Sequence, residues 1–131
     1  MSERVEYWLE LCEEDLLTAK TLFQGERYLP MGFYCHMIAE KALKAVVAKK
    51  TNELPPKIHD LLKLAEKGNV FDIMSDGQKQ LLHTLTPMQI ETRYPDDEEE
   101  TQVPELTLTN SEQLLKETEE FLCWIRQQLE K

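Results

Sequence analysis

Two stretches of the chain bring together residue types that can do chemistry. The first is His36-x-x-x-Glu40-Lys41-x-x-Lys44. Residues four apart share one face of a helix, so His36, Glu40 and Lys44 form a stripe of imidazole, carboxylate and ammonium. Such a stripe can bind a polar ligand or move a proton; Glu40 and Lys44 also have the orientation of a simple intrahelical ion pair. The second is Arg93-Tyr94-Pro95-Asp96. Its arginine sits in an otherwise acidic stretch and needs a carboxylate partner, and Pro95 holds Tyr94 extended. That arginine either serves a ligand or clamps its segment to Glu40 or another helix carboxylate.

The elements that must carry these groups are helices. Val5, Leu9, Cys12, Leu16, Ala19 and Phe23 recur every three or four residues, which predicts a helix over residues 3–24 closed by Gly25. A second helix is expected over 31–50, entered through Pro30, with Tyr34, Cys35, Ile38, Ala39, Ala42, Ala45 and Val46 as its core face. Phe33, Met37 and Val47 accompany the polar stripe on its other side. A helix apolar on both sides belongs in the centre of a bundle or at a subunit interface.

Leu54-Pro55-Pro56 reads as a stiff connection, followed by a short helix from about 58 to 67 closed by Gly68. Ser75 and Gln78 have capping-box spacing and open a fourth helix carrying Leu81, Leu82, Leu85 and Met88, which Pro87 kinks or ends. Residues 91–108 read as a polar loop. Thr109 and Glu112 are expected to cap a last helix running to about 128, with Leu114, Leu115, Thr118, Phe121, Leu122, Ile125 and Leu129 inward. The expected fold is all-α, an antiparallel up-and-down bundle of about five helices in a single domain over residues 1–131. That length and a hydrophobic fraction of 41% suffice for one core.

Composition narrows the function. The net charge is −10, from 25 acids and 15 bases, and it is uneven. Residues 41–67 hold seven lysines against three acids, and residues 96–120 ten acids against Lys116. The lysine-rich segment lacks arginine, so an ordinary solvated surface fits it better than a nucleic-acid footprint, and no DNA partner is expected. No apolar run is long enough to cross a membrane, and the charged N-terminus is unlike a secretory signal, so a cytoplasmic location is expected. Cys12, Cys35 and Cys123 each fall in an apolar helical pattern and read as small buried hydrophobes. No histidine spacing suits a metal and no glycine-rich phosphate loop is present, so no cofactor is expected. His83 reads as a partly buried helix residue.

Four short patterns in order resemble the HEPN domain (higher eukaryotes and prokaryotes nucleotide-binding). They are Trp8…Asp15-Leu16-x-x-Ala19, Ala39-Glu40-Lys41-x-Leu43-Lys44-Ala45, His59-Asp60-Leu61-x-x-Leu64-Ala65 and Arg93-Tyr94-Pro95-Asp96. The resemblance spans essentially the whole chain. It implies a five-helix bundle, commonly a homodimer, often encoded beside a small nucleotidyltransferase with which it forms a toxin–antitoxin pair. Active members of the family are metal-independent ribonucleases that use an arginine followed, after four to six residues, by a histidine.

That motif is absent. The arginines are Arg4, Arg27, Arg93 and Arg126; eight residues separate Arg27 from His36, and no histidine follows Arg93. The Arg-Tyr-Pro-Asp form resembles a branch without the ribonuclease motif. The resemblance therefore implies a non-nuclease binding module with a nucleotide ligand or a nucleotidyltransferase partner. Its site would draw on His36, Glu40, Lys44, His59, Asp60, Arg93, Tyr94 and Asp96. Two alternatives stand beside it: a ribonuclease using Arg93 with His59 or His83 as base, and a purely structural adaptor.

Overall fold

Ser2 opens the first helix by accepting a hydrogen bond from the Val5 N–H, one of the donors a helix start leaves without a partner. In the computed structural model, which describes residues 2–89 and 105–131, five α-helices follow: α1 (Glu3–Gln24), α2 (Tyr28–Thr51), α3 (Leu61–Lys67), α4 (Asp76–Leu85) and α5 (Leu108–Leu129). Short 3₁₀ turns occupy Phe71–Ile73 and Thr86–Gln89, and the described residues include no strand.

Contacts between side chains give the directions. Arg4 reaches the Asn52 carbonyl, Asp15 pairs with Lys41, and Phe23 meets Tyr28, so α1 and α2 run antiparallel. Lys20 pairs with Glu119 and Glu13 with Arg126, so α5 is antiparallel to α1 and hence parallel to α2. The end of α4 lies beside the first half of α2, where His36 meets Leu85. The path is thus up, down, up, down through α1, α2, α4 and α5, with α3 a short step in the connection between α2 and α4.

The apolar patterns find their places. Val5, Leu9, Cys12, Leu16 and Ala19 of α1 are buried, as are Leu81, Leu82, Leu85 and Met88, and Leu114, Phe121, Leu122, Ile125 and Leu129 of α5. Phe23, Tyr34 and Leu115 pack at the margin of this core. The helix apolar on both sides is the central one: Met31, Leu43, Val47 and Ala48 of α2 are buried in addition to its expected core face. Gly32 and Gly68 allow this packing. A β-carbon at Gly32 would lie 2.9 Å from the Met88 sulfur, and one at Gly68 would lie 2.8 Å from Val46 Cγ1.

Element ends differ from the sequence reading in informative ways. α2 begins at Tyr28, with Pro30 in its first turn, where a missing N–H costs nothing. It ends at Asn52 in the left-handed conformation, which asparagine tolerates well. α3 starts at Leu61 rather than near 58, because the Asp60 side chain accepts from the Lys63 N–H and fixes the start there. The Ser75–Gln78 capping box forms as expected. The cap of α5, however, is Thr107 with Asn110, two residues before the expected Thr109 and Glu112. Asn110 accepts from the Thr107 N–H as a glutamate would. Pro87 does not stop the chain abruptly; α4 ends at Leu85 and tightens into the 3₁₀ turn that contains it.

Candidate functional site

α2 places His36, Glu40 and Lys44 on one stripe, and the bundle closes over that stripe. Their side chains are 0%, 3% and 9% exposed. The Glu40 carboxylate is the hub. Its Oε2 accepts from Lys44 Nζ at 3.0 Å. Its Oε1 is shared by His36 Nε2 at 3.2 Å and His59 Nδ1 at 3.0 Å. His36 Nδ1 lies 2.9 Å from the carbonyl oxygen of Leu85 at the end of α4. Lys44 Nζ also sits 5.6 Å from the centre of the Trp8 ring on α1, within the range of a cation–π contact. One carboxylate on α2 thereby gathers groups from α1, from the segment before α3 and from the end of α4.

Burial alone would push the Glu40 carboxyl up, because an ion loses hydration inside a protein. Hydrogen bonds from His36 and Lys44, the Lys44 charge and the bond from His59 outweigh it and hold the group down at about 2. Glu40 is therefore an anion with three donors, the condition under which a charge can be buried at all. The simple Glu40–Lys44 pair read from the spacing exists, but as part of a larger cluster.

His59 is the open member. Its side chain is 57% exposed, and Nδ1 is the ring nitrogen engaged by Glu40. Nothing local in the sequence signals that His59 joins Glu40, nineteen positions away. Asp60 is drawn off in another direction, since its carboxylate caps α3. Arg93, Tyr94 and Asp96, and with them the expected clamp on Glu40, lie outside the described residues.

The remaining candidates resolve simply. Of the seven lysines over residues 41–67, Lys41 pairs with Asp15 at 2.6 Å, Lys44 with Glu40, and Lys49 with the Leu129 carbonyl that ends α5. That segment is partly spent on holding the bundle together. Cys12 and Cys35 are buried, and loss of hydration pushes each thiol up to about 12, far from a reactive thiolate. Cys123 departs from the expectation: it is exposed on α5, because the inward positions there are taken by Phe121, Leu122 and Ile125. His83 is exposed rather than partly buried, on the solvent face of α4 opposite Leu81, Leu82 and Leu85. No cluster of metal-ligating side chains occurs among the described residues, and no described helix is long and apolar enough to cross a membrane.

A four-helix up-and-down path with a short inserted helix, built around an ionic cluster on its central helix, defines the class of protein. The comparison with family descriptions assigns it: the sequence matches the HEPN domain over residues 5–128, and the chain belongs to that family. Two solved structures share the fold. The crystal structure of TT1696 from Thermus thermophilus is 21% identical, covers 96% of this chain and 98% of its own, and superposes with a TM-score of 0.78. The crystal structure of ST0689, an archaeal HEPN homologue, is 23% identical, covers 97% and 98%, and has a TM-score of 0.69. Among curated proteins nothing matches.

Proposed function

We propose that this HEPN-domain protein is a non-nuclease binding module that dimerises and binds a nucleotide, a small nucleotidyltransferase partner or both, in the manner of a toxin–antitoxin pair. The observation that carries the reading is the Glu40 cluster with its single open member. His36, Glu40 and Lys44 are bonded to one another inside the bundle, while His59 is held by its Nδ1 and keeps more than half of its side chain exposed. A neutral ring in that setting accepts from a ribose hydroxyl or a base N–H; a protonated ring donates to a phosphate oxygen. Lys57 and Lys63 flank His59 in sequence and are exposed, which favours an anionic ligand. The missing Arg-x₄₋₆-His motif supports a non-nuclease role.

Thermal-shift titration with ATP and GTP tests ligand binding. A concentration-dependent rise in Tm that His59→Ala abolishes supports it, and no shift with either nucleotide refutes it. Light scattering reports the dimer, and co-purification with a nucleotidyltransferase encoded next door reports the partner. The Glu40–His59 bond also fits a second reading, a ribonuclease in which a carboxylate orients the base. Cleavage of mixed RNA by wild type, lost in both Arg93→Ala and His59→Ala, would replace the first reading with this one.

A further inference from the structure

His36 is fully buried, and both of its ring nitrogens have an oxygen as partner. The Leu85 carbonyl only accepts. The Glu40 carboxylate, ionised and already accepting from Lys44 and His59, also only accepts. A neutral imidazole has one N–H and one lone pair, so it satisfies one of these oxygens and turns its lone pair on the other. Both bonds form together only when both nitrogens carry hydrogen.

We propose that His36 is a proton-operated latch: doubly protonated, it fastens the end of α4 to Glu40 on α2, and loss of one proton releases one of the two bonds. Charged and dipolar groups surround the ring. On α2 the ring faces the Glu40 anion, with the Lys44 ammonium on the far oxygen of that carboxylate. From α4 it faces the last turn, the negative end of that helix's dipole. From the segment before α3, His59 reaches the same Glu40 oxygen. α1 brings the Trp8 ring against Lys44, the Cys12 thiol to the Ile38 carbonyl and Asp15 to Lys41, and no ion pair among the described residues joins His36 to α1 or α5.

The consequence is directional. Raising the pH removes the second hydrogen and sets two acceptors against each other, about 3 Å apart, in a site closed to water, an arrangement proteins avoid. The proposed relief is a small shift of the end of α4 and the Thr86–Gln89 turn against α2, one that lengthens the His36–Leu85 contact while Leu85 and Met88 stay buried. That turn leads, in sequence, toward Arg93-Tyr94-Pro95-Asp96. The latch thus links protonation of a buried ring to the position from which the family's last motif departs.

The test uses the unliganded, full-length protein with ¹⁵N-labelled histidine, so its outcome is separate from that of nucleotide binding. Long-range ¹H–¹⁵N spectra are recorded from about pH 5 to about pH 9, the range in which histidine ordinarily changes charge. The chain has three histidines; His83→Gln, at an exposed position away from the cluster, removes one set of signals, and the set lost in His36→Gln identifies that ring. The expected result is a His36 ring with hydrogen on both nitrogens at the acid end. It then loses one in a single titration that backbone amides of Leu85 to Met88 follow. A His36 ring neutral throughout, one charged throughout, or a titration that leaves those amides unmoved would each overturn the proposal.

Discussion

The molecule contains the same chemistry twice, in two settings. On the outside, Lys20 and Glu119, each more than 40% exposed, pair at 3.0 Å across α1 and α5, and Arg126 meets Glu13 nearby. Inside, Lys44 and Glu40 pair at the same 3.0 Å with less than a tenth of either side chain exposed. Distance does not distinguish them; water does. The outer pairs gain little, because solvent screens them and two long side chains must be held still. The inner pair cannot be undone by hydration, so removing one partner strands the other. It is a poor source of net stability and a strict device for fixing which groups meet.

The largest expected effect comes from Glu40→Ala, which leaves Lys44 without its anion and His36 with one acceptor. Loss of about 3–5 kcal/mol is expected, the usual result of breaking a buried pair, and urea unfolding measures it. A loss no greater than that of a surface variant would show that the cluster is hydrated and the contrast unreal.

Acid sharpens the contrast without mutation. The carboxyl of Glu40 is held at about 2, below its ordinary value of 4.5, by donors that outweigh its burial. A depressed carboxyl contributes stability that is fully present above 4.5 and is lost as the pH falls toward 2. Tm should drop through that window in wild type and drop less in Glu40→Gln, a comparison read by circular dichroism. Parallel curves for the two proteins would assign acid unfolding to other carboxylates.

His59→Gln should be intermediate, costing about 1 kcal/mol, since it removes a charge-assisted bond at a half-exposed position. A cost equal to that of Glu40→Ala would place His59 in the core of the cluster rather than at its opening. The smallest effect belongs to Lys20→Ala, expected within about 0.5 kcal/mol of wild type in the same denaturant titration. A larger loss would mean that α1 and α5 depend on their polar seam more than on Val5, Leu9, Leu122 and Ile125 beneath it.

Periodicity and breakers are local signals, and they were enough for the five helices. The spacing of Val5 through Ala19 and of Leu114 through Leu129 marks faces that water expels whatever they pack against. Even the burial of α2 on both sides was written in its alternation of two apolar stripes. Caps were legible where a side chain and its N3 partner followed the common pattern, as at Ser75 and Gln78. They were misread where Asn110 took the part usually played by glutamate, and where Asp60 shortened α3 to Leu61. Exposure of Cys123 was hidden because an apolar residue beside a helical stripe looks the same from either side of its edge.

The candidate site divides along the same line. Spacing along the chain already put His36, Glu40 and Lys44 on one helical stripe, because 3.6 residues per turn leaves no alternative. It determined too that no arginine is followed at the required interval by a histidine, and it carried enough of the HEPN pattern to assign the family. Packing of the helices was needed to show that the stripe turns inward, that His59 closes on Glu40, and that the second nitrogen of His36 meets the Leu85 carbonyl. Those partners lie nineteen and forty-nine positions away. Chain separation carries no local signal; what joins them is the packing of α2 against the segment before α3 and the end of α4. In that enclosure a buried carboxylate must find donors, and the fold supplies the ones within reach.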